Sequence, residues 1–334
     1  MSYNSSSGKG KQVQNVHASL SAKFRVWFEK EVRPRWVDYA FILAFIILII
    51  IAASVSNVFF TLQNVSNIFR QVVTNGLVSI GMLVVILTGG IDLSVGSIVG
   101  LSAVLAAGLQ RYIPLPLAIL AALAAGVLAG ALNGFLISRF KLAPFIVTLA
   151  TLGIVRGLIF VYSEIPQTPS NPAFRGILGG FIGPVPVSAI IMVVSFPLIW
   201  LFLNRTTTGR SIVAIGGNEE AVRLAGINVG NNILMAYIIS GLLSAMAGVL
   251  LAARLGIAQP SVGEGYELDA IAAVVIGGGI LGGGGGGAAG AFGGVLTLGL
   301  IDNLLNLFNV QSYYQKIFKG FIILFAVLAR RKQR

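Results

Sequence analysis

Cysteine is absent from this chain, and histidine occurs once, at His17. The first absence excludes disulfides and thiolate metal sites; the second leaves no histidine for a catalytic triad or a paired metal site beyond the N-terminal arm. Charge is scarce as well. Asp, Glu, Lys and Arg make up 10% of the 334 residues, hydrophobic types 56%, and the mean hydropathy is +0.90, far from the balance of a soluble domain. No polar segment is long enough to enclose a core of its own. The composition predicts an all-α integral membrane protein.

What is present is a succession of apolar runs, each near the roughly 20 residues that a helix needs to cross the hydrocarbon of a bilayer. They predict about ten transmembrane helices, at 38–56, 67–88, 93–109, 115–138, 144–162, 187–203, 233–253, 267–281, 288–307 and 315–329. Discontinuous or short helices are expected near 88–97 and 277–287, where glycine interrupts the pattern. The two breaks echo each other. "VVILTGGIDLSVGSIVG" from Val84 and "VVIGGGILGGGGGGAAG" from Val274 both pass from VVI through glycine into a second apolar run, as broken helices do in repeat-built transporters.

Lys and Arg crowd residues 1–35, recur at Arg139, Lys141, Arg205, Arg210 and Arg223, and fill the tail "RRKQR", whereas the alternate loops hold Arg111, Arg175 and Arg254. By the positive-inside rule both termini are then cytoplasmic. The formal charge of +12 is a topology signal: spread over short loops, it offers no nucleic acid a continuous basic face. Residues 1–35 are expected to form a polar, basic cytoplasmic arm, with no apolar signal core and small-residue cleavage site following it at the usual distance, and 36–334 a single transmembrane domain.

Two loops are long. Ser163–Pro186 is rich in Pro and Gly, is placed outside, and is expected to lack regular structure. Residues 204–232 are placed inside and differ in kind: Asn218 suits an N-cap, Glu219 and Glu220 the first turn, and Gly226 the C-terminal stop after Arg223. Ala221, Val222, Leu224 and Ala225 give this short helix an apolar side. Two readings stay open, a helix lying on lipid and a knob docked in a soluble partner. The six glycines Gly282–Gly287 are not followed by the Lys-Ser/Thr of a phosphate loop, so they read as a tight link between spans.

The remaining chemistry is sparse. Asp92, in "GGIDLSVGS", is expected to cap a helix running from Leu93, with Ser94 and Ser97 satisfying freed backbone groups; direct contact with a passing substrate or proton is the competing role. Arg156 has three readings: reaching to the outer interface, pairing with a carboxylate, or lining a polar path. Asn133, Thr148, Thr151, Asn303 and Asn306 sit on apolar spans, where such residues are more often glue between helices than ligands. The other acids near spans, Asp38, Glu267, Asp269 and Asp302, are scattered in sequence, and no nucleophile and base pair supports an enzyme.

Several stretches taken together, "ILTGGIDLSVGSIVGLSA", "FIVTLATLGIVRGL", "GRSIVAIGGNEEAVRLAGINV" and "AQPSVGEGYELDAIAAVVIGGG", resemble the membrane permeases of bacterial ribose-type ABC importers, the monosaccharide group that includes xylose, arabinose, galactose and autoinducer-2 systems. The likeness runs from about Phe59 to Leu328, with "NNLLNLFNVQSYYQKIFKG" in looser form, and is nearest the ribose branch. The Gly282–Gly287 run and the outer loop Ser163–Phe174 depart from the pattern. The resemblance implies a permease in the bacterial inner membrane, surrounded by lipid and paired with a second copy, a homodimer or a heterodimer. It implies a cytoplasmic ABC ATPase as the subunit that binds ATP and Mg, no cofactor on this chain, and a periplasmic sugar-binding protein. On that pattern Gly209, Arg210, Asn218, Glu219, Glu220, Ala221, Arg223, Leu224 and Gly226 couple to the ATPase, and Arg254, Gln259, Glu264 and Tyr266 face the binding protein. An ion-coupled secondary transporter of a small polar solute is the alternative; it explains the hydropathy and the broken helices, and leaves the capped helix in 204–232 without a purpose.

Overall fold

The computed structural model describes residues 45–50, 52–54, 57–311, 313–315, 317–321 and 324. The chain divides after Ile47 into two units, and of the first only 45–47 are described, so the basic arm at 1–35 lies outside the described residues. The second unit is built from α1 (Leu62–Leu87), α2 (Val95–Gly108), α3 (Leu115–Phe140), α4 (Pro144–Tyr162), α5 (Val187–Arg205), α6 (Thr207–Gly217), α7 (Glu219–Leu224), α8 (Val229–Leu255), α9 (Tyr266–Ile276) and α10 (Ala288–Leu307).

Six of these, α1, α3, α4, α5, α8 and α10, are long and apolar enough to cross a membrane. α2, with 14 residues, rises about 21 Å, short of the roughly 30 Å of hydrocarbon, and α9 has only 11 residues. These are the two discontinuities expected from the glycine breaks. The expected spans 38–56 and 315–329 are only partly described, with helix at 45–50, 52–54 and 317–321, so ten crossings are not established by the described residues. α1 is enclosed, with 83% of an apolar 18-residue stretch buried, against 28% for α3 and α4. Those two helices instead turn leucines and isoleucines such as Leu128, Leu132, Ile146 and Ile154 outward. A helix apolar on its outer face as well as its inner one belongs in lipid.

α8 is the axis, packed along α3, α1 and α2. Its approach to α3 is set by Gly126, Gly130 and Gly134, spaced one turn apart. A Cβ at Gly134 would stand 2.8 Å from the Cα of Leu234, one at Gly126 would stand 2.6 Å from the backbone oxygen of Gly241, and one at Gly130 would collide with the carbonyl of Tyr237. Removing side chains lets the two backbones pack directly, which matters where lipid supplies no hydrophobic drive between helices.

The two glycine breaks meet. Gly284 donates its backbone N–H to the carbonyl of Leu87 at 3.1 Å, and a Cβ on Gly283 would come within 2.6 Å of Gly216 Cα and 2.9 Å of Gly89 N. The end of α1, the end of α6 and the Gly282–Gly287 run thus share one junction, which anchors the run through backbone alone. Gly283 and Gly284 take φ of 91° and 72°, a region that favours glycine.

At the far end of α8 the loop Ser163–Pro186 is more regular than its Pro and Gly content suggests. Phe181–Ile182 and Val185–Pro186 pair as an antiparallel hairpin, β1 and β2, turned by Gly183 at φ 59° and Pro184, the order that a two-residue hairpin turn with glycine first allows. A π-helical turn, Phe174–Leu178, buries Phe174, and Gln167 exchanges backbone hydrogen bonds of 2.9 Å in both directions with Ala258. The same residues that break helices supply the turns of these short elements.

Candidate functional site

Three polar assemblies stand out in the apolar body. The first surrounds Asp92, which lies in the α1–α2 break with none of its surface exposed. Its Oδ1 accepts from the backbone N–H of Ser94 at 3.0 Å and the Ser94 hydroxyl at 2.6 Å; its Oδ2 accepts from the Ser240 hydroxyl of α8 at 2.9 Å. α2 starts at Val95, and its N-cap is Ser94, which makes no side-chain capping bond. The expectation that Asp92 caps a helix from Leu93 is therefore corrected. The carboxylate closes a turn onto the residue two further on, as Asp does where it competes with helix, and this delays the helix start.

From Ser94 the network continues outward. Asn133 of α3 donates to the Ser94 hydroxyl at 2.9 Å, and Thr151 of α4 donates to Asn133 Oδ1 at 2.6 Å. The Thr148 hydroxyl reaches the carbonyl of Ile91 at 3.2 Å, and Ser97 donates to that of Ser94 at 2.8 Å. Asp92, Ser94, Ser97, Asn133, Thr148 and Thr151, with Ser240, thus form one buried cluster joining α2, α3, α4 and α8. Arg156 stands apart from it, donating to the carbonyls of Pro260 and Val262 at 3.0 and 2.9 Å; it pins the loop between α8 and α9. Asn303 exchanges hydrogen bonds with Asn64 of α1 at 3.1 and 3.3 Å, and Asn306 accepts from Gln315 at 2.8 Å. Ser240 and Asn64 carry no sequence signal: each is one polar residue whose partner is far along the chain.

The second assembly is the α6–α7 pair. Asn218 caps α7, its side chain accepting from the Ala221 N–H at 2.9 Å, and Gly226 ends it at φ 77°. α6 was not expected. Thr206 caps it, accepting from the N–H of Gly209 at 3.0 Å, and Gly209 lies so close to the Phe202 and Leu203 backbone that a side chain there would clash. The apolar residues of α7 do not share a face: Val222 is buried with Val85, Ile215 and Tyr237, while Leu224 is 80% exposed. Glu219, Glu220, Ala221 and Arg223 are exposed too, as is Arg210 of α6. Arg223 pairs with Glu220 within α7, and Lys141 of the α3–α4 loop lies 3.4 Å from Glu219. A cavity of about 240 Å³ lies behind α7, lined by Gly89, Gly90, Lys141, Glu219 and Tyr237 among others.

The third assembly is a chamber of about 710 Å³ at the opposite end of α8. Gln71 and Asn75 of α1, Arg254 of α8, Glu264, Tyr266 and Asp269, Asp302 of α10 and Lys319 line it. Lys319 bridges Asp269 at 2.9 Å and Asp302 at 3.1 Å, and Asn75 donates to Asp269 at 3.3 Å. Arg254 donates to the backbone carbonyl of Arg70 at 2.6 Å. Of the four residues assigned to a docking face, Arg254, Glu264 and Tyr266 thus line this chamber and Gln259 lies exposed on the loop. Asp269 and Asp302, scattered in sequence, are brought together.

Residues 64–327 match the family described as the branched-chain amino acid transport system / permease component. The chain is 47% identical over 295 residues to the ribose import permease protein RbsC of Bacillus subtilis (strain 168), covering 87% of this chain and 92% of that one. It is 42% identical over 301 residues to the ribose import permease protein RbsC of Escherichia coli (strain K12), covering 88% and 93%. The galactose/methyl galactoside import permease protein MglC of Escherichia coli (strain K12) is 36% identical over 290 residues, 80% of this chain and 86% of the relative. No solved structure matches.

Proposed function

The chain belongs to the branched-chain amino acid transport system permease family, and we propose that it is the membrane permease of an ABC importer for a monosaccharide, with ribose as the sugar. It is no enzyme: its part is to form the path, multi-pass in the inner membrane. The observation that carries the reading is likeness to ribose import permeases over nearly the whole of both chains. The described geometry agrees in kind, since a polar chamber at one end of the bundle and an exposed, capped helix pair at the other are what a conduit driven from outside itself requires.

The finer assignments are ours. A separate ATPase docks on Gly209, Arg210 and the residues from Asn218 to Gly226, and binds the ATP and Mg. That face is cytoplasmic, as are both termini, so that Ser163–Pro186 and the chamber open to the periplasm and to a sugar-binding protein. The crossings number about ten, counting the partly described spans at 38–56 and 315–329. Residues 1–35 form a separate arm, and two copies pair in the importer. The Asp92 cluster holds the helix break in shape, because each of its carboxylate bonds comes from within the fold.

The test is uptake by the purified permease reconstituted with its ATPase and binding protein, against a panel of radiolabelled sugars. Accumulation of D-ribose in preference to galactose, xylose and arabinose is expected. Preference for another sugar would move the substrate while keeping the class, and transport of none would refute the reading.

A further inference from the structure

We infer that Arg156 is a positioning residue: it holds the loop between α8 and α9 in the shape that presents Gln259, Ser261 and Glu264 to the sugar-binding protein, a role that rests on the importer reading and its docking loop. A cation on an apolar membrane helix is costly and marks a function by default. Arg156 lies on α4, and its Nη1 donates to the carbonyls of Pro260 and Val262 at 3.0 and 2.9 Å. Both bonds are charge-assisted and both go to backbone, so they fix the path of the chain rather than one side chain. α2 makes room for them. A Cβ on Gly100 would stand 2.7 Å from the Val262 carbonyl oxygen and 3.3 Å from Arg156 Nη1, and one on Gly96 would collide with the carbonyl of Gly263. Guanidinium, loop and α2 meet where α2 carries glycine.

The loop needs such a tie. Gly256, Gly263 and Gly265 take φ of 69°, 92° and 88°, and glycine gives a chain many other shapes to fall into. Its first half is held at Ala258 by the two backbone bonds with Gln167, and it turns on itself where the Val262 N–H donates to the carbonyl of Gln259 at 3.1 Å. Along the loop, buried and exposed residues interleave: Ala258, Pro260 and Gly263 are buried, whereas Gln259, Ser261 and Glu264 are exposed. The chain is thus tied down at Pro260 and Val262, and the polar side chains open to a partner flank the tied residues. A loop ordered in advance spares a docking protein the entropy of ordering it. Loss of Arg156 should then weaken docking while the helices around it keep their packing.

The experiment compares Arg156→Met, which removes the donors, with Arg156→Lys, whose ammonium can donate to both carbonyls, in the permease–ATPase complex in proteoliposomes. The first readout is the concentration of ribose-loaded binding protein that gives half-maximal ATPase stimulation. Arg156→Met should raise it by about tenfold with the maximal stimulation retained, and Arg156→Lys should recover most of the loss. The second uses the absence of cysteine: a spin label on Ser261→Cys, read without binding protein, should be restrained in the parent and freely moving with Arg156→Met. Unchanged half-saturation, or a label equally restrained in both, overturns the role. So does a fall in maximal stimulation and melting temperature at unchanged half-saturation, the mark of a merely structural residue. If Arg156→Met fails to assemble, Arg156→Gln, with one amide donor on a shorter chain, is read by the same criteria. Glu264→Arg separates the layers. If it weakens docking and Arg156→Met does not, the role of Arg156 falls and the docking loop stands; if it leaves docking unchanged, the docking loop falls and the role with it. An unsubstituted complex that the loaded binding protein does not stimulate removes the importer reading itself.

Discussion

Asp92 is the residue on which structure and transport are most easily separated. Its carboxylate receives two bonds from Ser94 and one from Ser240, and each donor is buried where no water replaces a lost acceptor. Asp92→Asn retains an acceptor for Ser94, and the Ser240 hydroxyl can rotate to accept from the new amide, so most uptake and thermal stability should persist. Asp92→Leu strands the donors, each at roughly 1–3 kcal/mol, and should lower the melting temperature in detergent along with uptake. Uptake lost equally in both variants, with stability intact in Asp92→Asn, would mean that the charge itself acts on the passing substrate. The sequence marks Asp92 as unusual because a carboxylate between apolar runs is rare. Ser240 has no such mark: a serine in a membrane helix is ordinary until its partner 148 positions away is known.

Elements show the same division between what lies in the sequence and what needs the partner. The caps of α7 are local chemistry, readable from Asn218 and Gly226, whereas the burial of Val222 depends on Val85 and Tyr237 of other helices. Leu224→Arg should therefore abolish stimulation of the ATPase by changing an 80% exposed side chain, while Val222→Ala should leave the ATPase bound and reduce sugar moved per ATP hydrolysed by loosening α7 from the body. Unchanged ATPase stimulation and uptake in both would mean that α7 is not the coupling element. Packing between α3 and α8 gives a second test. Gly130→Ala puts a Cβ into the carbonyl of Tyr237, forcing the helices apart at about 1–3 kcal/mol, whereas Gly153→Ala on α4 meets nothing within 4 Å and should be neutral or gain up to roughly 1 kcal/mol of helix propensity. Thermal melts of the two variants that coincide would contradict the packing. The spacing of Gly126, Gly130 and Gly134 is visible in the sequence, but not which helix it faces.

For the whole molecule, hydropathy marked the membrane class and, among the described residues, the six helices long and apolar enough to cross, because lipid demands long apolar helices. The ends of α1, α2 and α8 were harder to place, since caps such as Thr61, Ser94 and Asn228 lie inside or beside the apolar runs. The chamber was illegible, because its walls come from segments far apart in the chain. The basic residues predict the orientation, with Ser163–Pro186 outside, and on that prediction Ser170→Cys should react with a membrane-impermeant maleimide added to intact spheroplasts; labelling only after the cytosol is opened would invert the topology. The most direct test of the central claim is ribose uptake into proteoliposomes that hold the permease, its ATPase and its binding protein. With ATP enclosed on the α7 side, radiolabelled D-ribose should accumulate only when the loaded binding protein is present, and should stop when ATP is replaced by a non-hydrolysable analogue. Accumulation by the permease alone, driven by an imposed proton or sodium gradient, would contradict the account and identify an ion-coupled transporter.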